Sequence, residues 1–204
     1  MKVGIITKIG KNYGALLQAY ALRRVCEKKG AEAHVIKYTP KMSRDSYKVC
    51  KYKWRFRGTI VNIQSLLHYS ENKKSSERFL KFRDDEFDFL GNYNSYEEMK
   101  ALPPVCDVYI SGSDQVWNPD ISFDKAFYFS CIQKENVKLT SYAASIGLQA
   151  LPNELKSEFT RRLNRFDYIS VREKQAQNIL SELGIKSDVA PDPTLLLDKE
   201  EWNS

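Results

Sequence analysis

"VCDVYISGSDQVWNP", residues 105–119, sets a short apolar run against a cluster of glycine, serine, aspartate and glutamine. The first half, 105–111, has the length and composition of a strand buried on both faces. At Gly112 the missing Cβ lets the backbone turn where a side chain would obstruct a neighbour. Ser113, Asp114 and Gln115 then put polar atoms at the strand's exit, where Asp114 can accept a proton from a hydroxyl. A second interpretation fits the same residues: Asp114 caps a turn while Trp117 fills a hole beneath it. The Trp-Asn-Pro that follows fixes the loop against the core.

Working outward, short β-rich runs alternate with helical patterns. Strands are predicted at 2–7, 33–38, 105–111, 138–143, 168–171 and 188–190, and helices at 13–29, 152–165 and 173–183. Gly30 and Gly184 stand where helix C-terminal glycines belong. Strands buried on both faces and separated by helices predict an α/β fold, a Rossmann-like doubly wound parallel sheet. In such sheets ligands bind outside the carboxyl ends of the strands, and four polar stretches fall there.

The first stretch, 8–14, opens a helix, so the free amides around Asn12, Tyr13 and Gly14 suit an anion. It is neither a GxGxxG nor a P-loop sequence, and Asn12 as a helix cap with Gly14 as a packing residue explains it as well. The second stretch is 112–118. The third, "SYAASIG" at 141–147, leaves space beside Ser145 and Gly147 for a substrate or a neighbouring backbone. The fourth, "ISVREK", places Arg172 at a strand end, suited to phosphate or carboxylate or to an ion pair with a nearby acid. Glu173, in a first helical turn, is structural. His34 and His68 make no catalytic pattern with each other, and His34 is expected to be packed within a strand.

The 204 residues suffice for one large domain, and 42% of them are hydrophobic. No apolar run reaches the roughly 20 residues of a membrane span. The N-terminus turns polar too early for a signal peptide, which points to a cytoplasmic protein. Cys26, Cys50, Cys106 and Cys131 show neither CxxC pairing nor zinc spacing, as expected of structural thiols in a reducing compartment. The net charge of +6 is local: residues 41–57 carry seven Lys/Arg and one acidic residue, interleaved with Tyr47, Tyr52, Trp54 and Phe56. That segment suits an anionic glycan, a nucleic acid or a membrane surface, or is a solvated excursion. Residues 41–100 as a whole break the strand–helix rhythm, with helices expected near 58–69 and 75–88. They are predicted to be an insertion forming a lid or binding surface.

Five stretches, "NYGALLQAYAL" at 12–22, "DVYISGSDQVWNP" at 107–119, "SYAASIG" at 141–147, "YISVREK" at 168–174 and "DPTLLLDKEEW" at 192–202, follow one another in an order that resembles the polysaccharide pyruvyl transferase family. The resemblance implies a GT-B-like architecture of two Rossmann-like halves, with residues 1–197 as the N-terminal domain and 198–204 the start of a linker to a second. On that basis the chain alone is expected to be inactive. The implied chemistry is pyruvyl transfer from phosphoenolpyruvate to a hydroxyl of a cell-surface glycan or its lipid-linked precursor. It calls for no cofactor and no metal. Asp114 is then the group that orients or deprotonates the acceptor hydroxyl, and Ser113, Gln115 and Ser145 contact sugar. Arg172 and the amides of Asn12–Gly14 are the candidate anion contacts, with Gly112 and Tyr13 beside them. Peripheral contact with an anionic membrane through 41–57 is expected, and nucleic acid is disfavoured as a partner. Alternative functions are a nucleotide-sugar glycosyltransferase of the same architecture and a non-catalytic glycan- or nucleic-acid-binding module.

Overall fold

A run of β-branched residues at the N-terminus supplies an interior strand of the sheet, with two strands on one side of it and four on the other. The computed structural model describes residues 1–10, 12–40 and 69–202. Among them lie seven strands, β1 (Lys2–Ile6), β2 (Glu32–Tyr38), β3 (Phe89–Tyr93), β4 (Val108–Ser111), β5 (Lys138–Ala144), β6 (Tyr168–Val171) and β7 (Asp188–Val189). They form one sheet in the order β3-β2-β1-β4-β5-β6-β7. All its pairings are parallel. The helices are α1 (Tyr13–Lys28), α2 (Tyr69–Glu86), α3 (Tyr96–Ala101), α4 (Asn153–Leu163), α5 (Lys174–Glu182) and α6 (Lys199–Trp202), with short 3₁₀ turns at Lys125–Tyr128 and Pro193–Leu195.

Period-two alternation decides which side chains meet which layer. Val35, Ile5 and Ile110 share one row across the sheet. On that face α1 brings Leu16, Ala19 and Leu22, and α2 brings Phe79. Ile6, Ile36, Tyr109, Leu139 and Ile169 join the opposite face, where α3, α4 and α5 contribute Met99, Phe159, Leu163, Ile179 and Leu180. Right-handed crossovers account for this division. The chain winds one way from β1 to β3, then returns past β1 to build β4 through β7. The α/β, Rossmann-like doubly wound sheet expected from the sequence is what forms.

Two local departures have physical causes. β4 starts at Val108 rather than 105 because the Tyr109 hydroxyl donates to the Pro104 carbonyl at 2.6 Å and accepts from the Cys106 N–H at 3.0 Å. That clasp keeps 104–106 off the ladder and leaves Val105 exposed. Secondly, the stretch predicted as an insertion contains core. Phe89–Tyr93 pairs in parallel with β2, and Phe79 and Phe87 are buried against Leu16, Ala19 and Val35. The charged, aromatic composition of 69–93 hid a β-α-β continuation. The helix predicted at 58–69 and the basic segment 41–57 lie outside the described residues, apart from Tyr69 itself, where α2 starts.

The reversal of winding direction falls between β1 and β4. Loops leaving those two strands diverge, and the crevice between them is where α/β sheets bind ligands.

Candidate active site at the β1–β4 switch point

Gly112 continues the β1–β4 ladder by one step, its N–H donating to the Ile6 carbonyl at 2.8 Å. A Cβ there would sit 3.0 Å from Thr7 Cβ, so this glycine serves the close approach of two strand exits rather than a ligand. Beyond it the chain coils tightly. Asp114 N–H donates to the Gly112 carbonyl, and Val116 N–H to the Asp114 carbonyl at 2.7 Å. The Asp114 carboxylate also takes the Gln115 N–H at 2.6 Å on Oδ1.

Trp117 anchors the coil from below. It is fully buried, stacked on Tyr128 at 6.0 Å and edge-on to Phe166 at 5.6 Å. The expectation that it plugs the core beneath Asp114 holds, and Asp114 caps its own turn as well as lining the cleft.

Ser145, predicted as a sugar contact, is buried behind the cleft wall with no exposed surface. Its backbone is what acts: Ser145 N–H donates to the Asp114 carbonyl at 2.9 Å, and its carbonyl accepts from Trp117 N–H at 3.2 Å. A bulge helps to bring it there, since β5 shifts register between Ser141 and Ala144 and Ala143 has φ of 48°. Nearby, Gly147 has φ of 67°, and a Cβ on it would lie 2.8 Å from Asn118 Nδ2 and 3.0 Å from Gln115. Its absence leaves room for the Asn118–Gln115 side-chain hydrogen bond at 2.8 Å.

At the start of α1, Asn12 is the helix cap, accepting from Gly14 N–H at 2.8 Å and Ala15 N–H at 3.3 Å. Of the Asn12–Gly14 amides expected to meet an anion, that of Gly14 is therefore engaged by the Asn12 side chain, and that of Asn12 donates to the Gly10 carbonyl at 2.7 Å. Gly14 still lines the cleft. Tyr13 does not: its ring meets Phe79 edge-on at 5.1 Å and borders a separate hollow with Glu71, Lys74 and Arg78.

Arg172, at the β6 exit, reaches the cleft but is not a free cation. Nη1 donates to Asp192 Oδ2 at 3.2 Å and Nε to Glu173 Oε1 at 3.2 Å. Asp192 Oδ2 also accepts from Ser113 Oγ at 3.2 Å, and Oδ1 from Thr194 N–H and Oγ1. One carboxylate thus ties the exits of β4 and β6 to the segment after β7.

Asn12, Gly14, Gln18, Ser113, Asp114, Gln115, Arg172, Asp192 and Thr194 line one cleft of about 300 Å³. The sequence had pointed to six of these nine. It missed Gln18 and Thr194, and also Lys8, whose ammonium donates to the Gln115 carbonyl. Asp192 stood within a recognised stretch without an assigned role. A polar residue inside an otherwise apolar helix face was the available signal for Gln18.

Electrostatics single out Asp114. Burial raises its carboxyl pKa above the ordinary value, opposed by the Gln115 N–H, Lys8 and Arg172, while Asp192 adds to the rise. Burial likewise lowers the Lys8 ammonium, with Asp114 opposing. A carboxyl so placed can take up a proton at a pH where surface carboxylates have lost theirs. Among the described residues, no three His, Cys, Asp or Glu side chains gather as a metal site, and no helix is long and apolar enough to cross a membrane. His34 lies between Glu32 at 3.0 Å and Asp88 at 3.2 Å, away from this cleft.

No curated protein and no solved structure matches the chain. A family model, Polysaccharide pyruvyl transferase, matches residues 12–204, nearly all of the sequence and every strand from β2 onward. The chain belongs to the polysaccharide pyruvyl transferase family.

Proposed function

We propose that the β1–β4 cleft receives the acceptor sugar in pyruvyl transfer from phosphoenolpyruvate, with Asp114 as the base for the attacking hydroxyl. The observation that carries this is the Asp114 carboxyl itself. It is largely buried in a cleft, its pKa is raised, and its Oδ2 takes no hydrogen bond from the described residues. Protonation of the enol carbon of phosphoenolpyruvate generates an oxocarbenium-like centre at the adjacent carbon. The sugar oxygen bonds to that centre as its proton passes to Asp114. The bond from the same carbon to the phosphate oxygen then breaks, its electron pair leaving with phosphate, and a second sugar hydroxyl adds to that carbon to close a cyclic ketal, its proton passing to the departing phosphate.

Charge balance in the cleft supports the acceptor rather than the donor as its occupant. Arg172 is held by Asp192 and Glu173, and Lys8 is buried beside Asp114. A phosphate and a carboxylate need cations not already neutralised. In this account those cations, and the acid that protonates the enol carbon, come from a second Rossmann-like half facing this one. The acceptor is a cell-surface glycan or its lipid-linked precursor, met at the cytoplasmic face of the membrane with help from the basic 41–57 segment.

Phosphate release from phosphoenolpyruvate by the full-length protein, with and without candidate glycans, tests the proposal. Release that requires both substrates is expected. Sugar-nucleotide turnover without phosphoenolpyruvate would contradict it.

A further inference from the structure

Gln18 is 2% exposed yet lines the cleft from the second turn of α1. Its Nε2 donates to the Thr7 hydroxyl at 2.9 Å and to the Ala15 carbonyl at 2.6 Å. The Ala15 carbonyl has no proton to give. Turning the amide end for end would therefore set two acceptors 2.6 Å apart, so the side chain is locked with nitrogen inward to the protein. What remains is Oε1, a buried amide oxygen without a hydrogen-bond partner among the described residues. Such an atom is costly to leave unpaired, and a cleft is where a ligand can pair it.

The neighbouring side chains do not supply the missing donor. Ser113 Oγ, Arg172 Nη1 and Thr194 Oγ1 all donate to Asp192, and among the described residues no side-chain amide, that of Asn12 or Gln115 included, reaches Gln18 Oε1. Two residues that line the cleft thus carry an acceptor without a partner among the described residues, Gln18 at Oε1 and Asp114 at its second oxygen. A phosphate or carboxylate would add anionic oxygens opposite both. A group with two or more hydroxyls satisfies both.

We infer that Gln18 Oε1 accepts a hydrogen bond from one hydroxyl of the acceptor sugar, other than the one that Asp114 deprotonates, and so decides which sugars enter. This rests on the acceptor occupying the cleft, as proposed above. Sites built to hydrogen-bond a substrate hydroxyl discriminate strongly against analogues that lack it, because the buried partner is then stranded.

The test is a coupling measurement on the full-length protein, using methyl glucoside, galactoside and mannoside with their monodeoxy forms as probes. Binding is followed by calorimetry, and the KM for phosphoenolpyruvate is measured alongside. For the hexoside that binds, one deoxygenation is expected to weaken the wild type about tenfold. Gln18→Met should bind the parent sugar as weakly as the wild type binds that deoxy form. It should lose nothing more on the same deoxygenation and keep its KM for phosphoenolpyruvate. Equal losses in both proteins on every deoxygenation overturn the assignment while leaving the sugar cleft intact. So does a flat deoxy series in the wild type, which decides the matter even if Gln18→Met does not fold. Absence of hexoside binding to the wild type overturns the sugar cleft itself, and Gln18's role with it.

Discussion

Arg172 and Ser113, at the exits of β6 and β4, donate to the same oxygen, Asp192 Oδ2, each at 3.2 Å. The segment after β7 is thereby drawn across the carboxyl edge of the sheet to close one side of the cleft. Because Asp192 also caps the Pro193–Leu195 turn through Thr194, it serves the architecture and the site together.

Asp192→Ala removes that cap, worth about 1 kcal/mol, and an ion pair that partial exposure limits to less than about 1 kcal/mol. The melting temperature of a chain this size should fall by roughly 3–8 °C. Asp192→Asn keeps an acceptor for Thr194 and should fall by less. Thermal denaturation of the two variants checks the order.

The pairing of Lys8 with Asp114 has a signature in the pH dependence of activity. Burial places the Asp114 pKa above 3.8, and Lys8 holds it down. The acid limb of kcat/KM should therefore lie above the ordinary aspartate range, with activity lost as pH falls and the base becomes protonated. Removing the cation in Lys8→Met raises the Asp114 pKa further, so that limb should move to higher pH. A limb that stays in place, or moves down, would show that Asp114 is not the titrating base.

Ser145→Ala distinguishes a backbone role from a side-chain role. The Ser145 hydroxyl is buried and has no partner among the described residues, whereas its N–H and carbonyl hold the Asp114 loop. Losing an unsatisfied hydroxyl should leave stability and turnover within about 0.5 kcal/mol of wild type. A large loss of turnover would mean that the hydroxyl meets substrate after all.

Gly147→Ala tests the packing of the cleft wall. The left-handed backbone costs a non-glycine residue roughly 1–2 kcal/mol, and the new Cβ collides with Asn118 and Gln115. The expected result is a lower melting temperature together with a raised KM for the acceptor, since Gln115 must move. Unchanged kinetics would remove Gln115 from the sugar contacts.

Much of this was legible beforehand, for identifiable reasons. β1, β5 and β6 are bounded by polar or turn-forming residues, and α1 carries Leu16, Ala19 and Leu22 at helical spacing, so periodicity located them well. Gly112, Asp114 and Arg172 stood out because polar groups abutted strand ends. β3 was missed because "FLGNY" is short, holds a glycine and follows a highly charged helix. For Ser145, residue type does not reveal that its main chain holds the neighbouring loop. The pairing of Arg172 with Asp192 joins residues 20 apart in the chain through tertiary geometry alone. Gln18 showed in the sequence only as a polar residue on an apolar helix face, since its meaning lies in an oxygen left without a partner among the described residues.

Turnover of Asp114→Asn, with phosphoenolpyruvate and acceptor both saturating, bears most directly on the central claim that this carboxylate takes the hydroxyl proton. Asparagine keeps the shape and an acceptor for the Gln115 N–H but cannot take up the proton. A fall in kcat of about 10²–10⁴-fold is predicted, with the fold intact. A kcat equal to wild type would contradict the account.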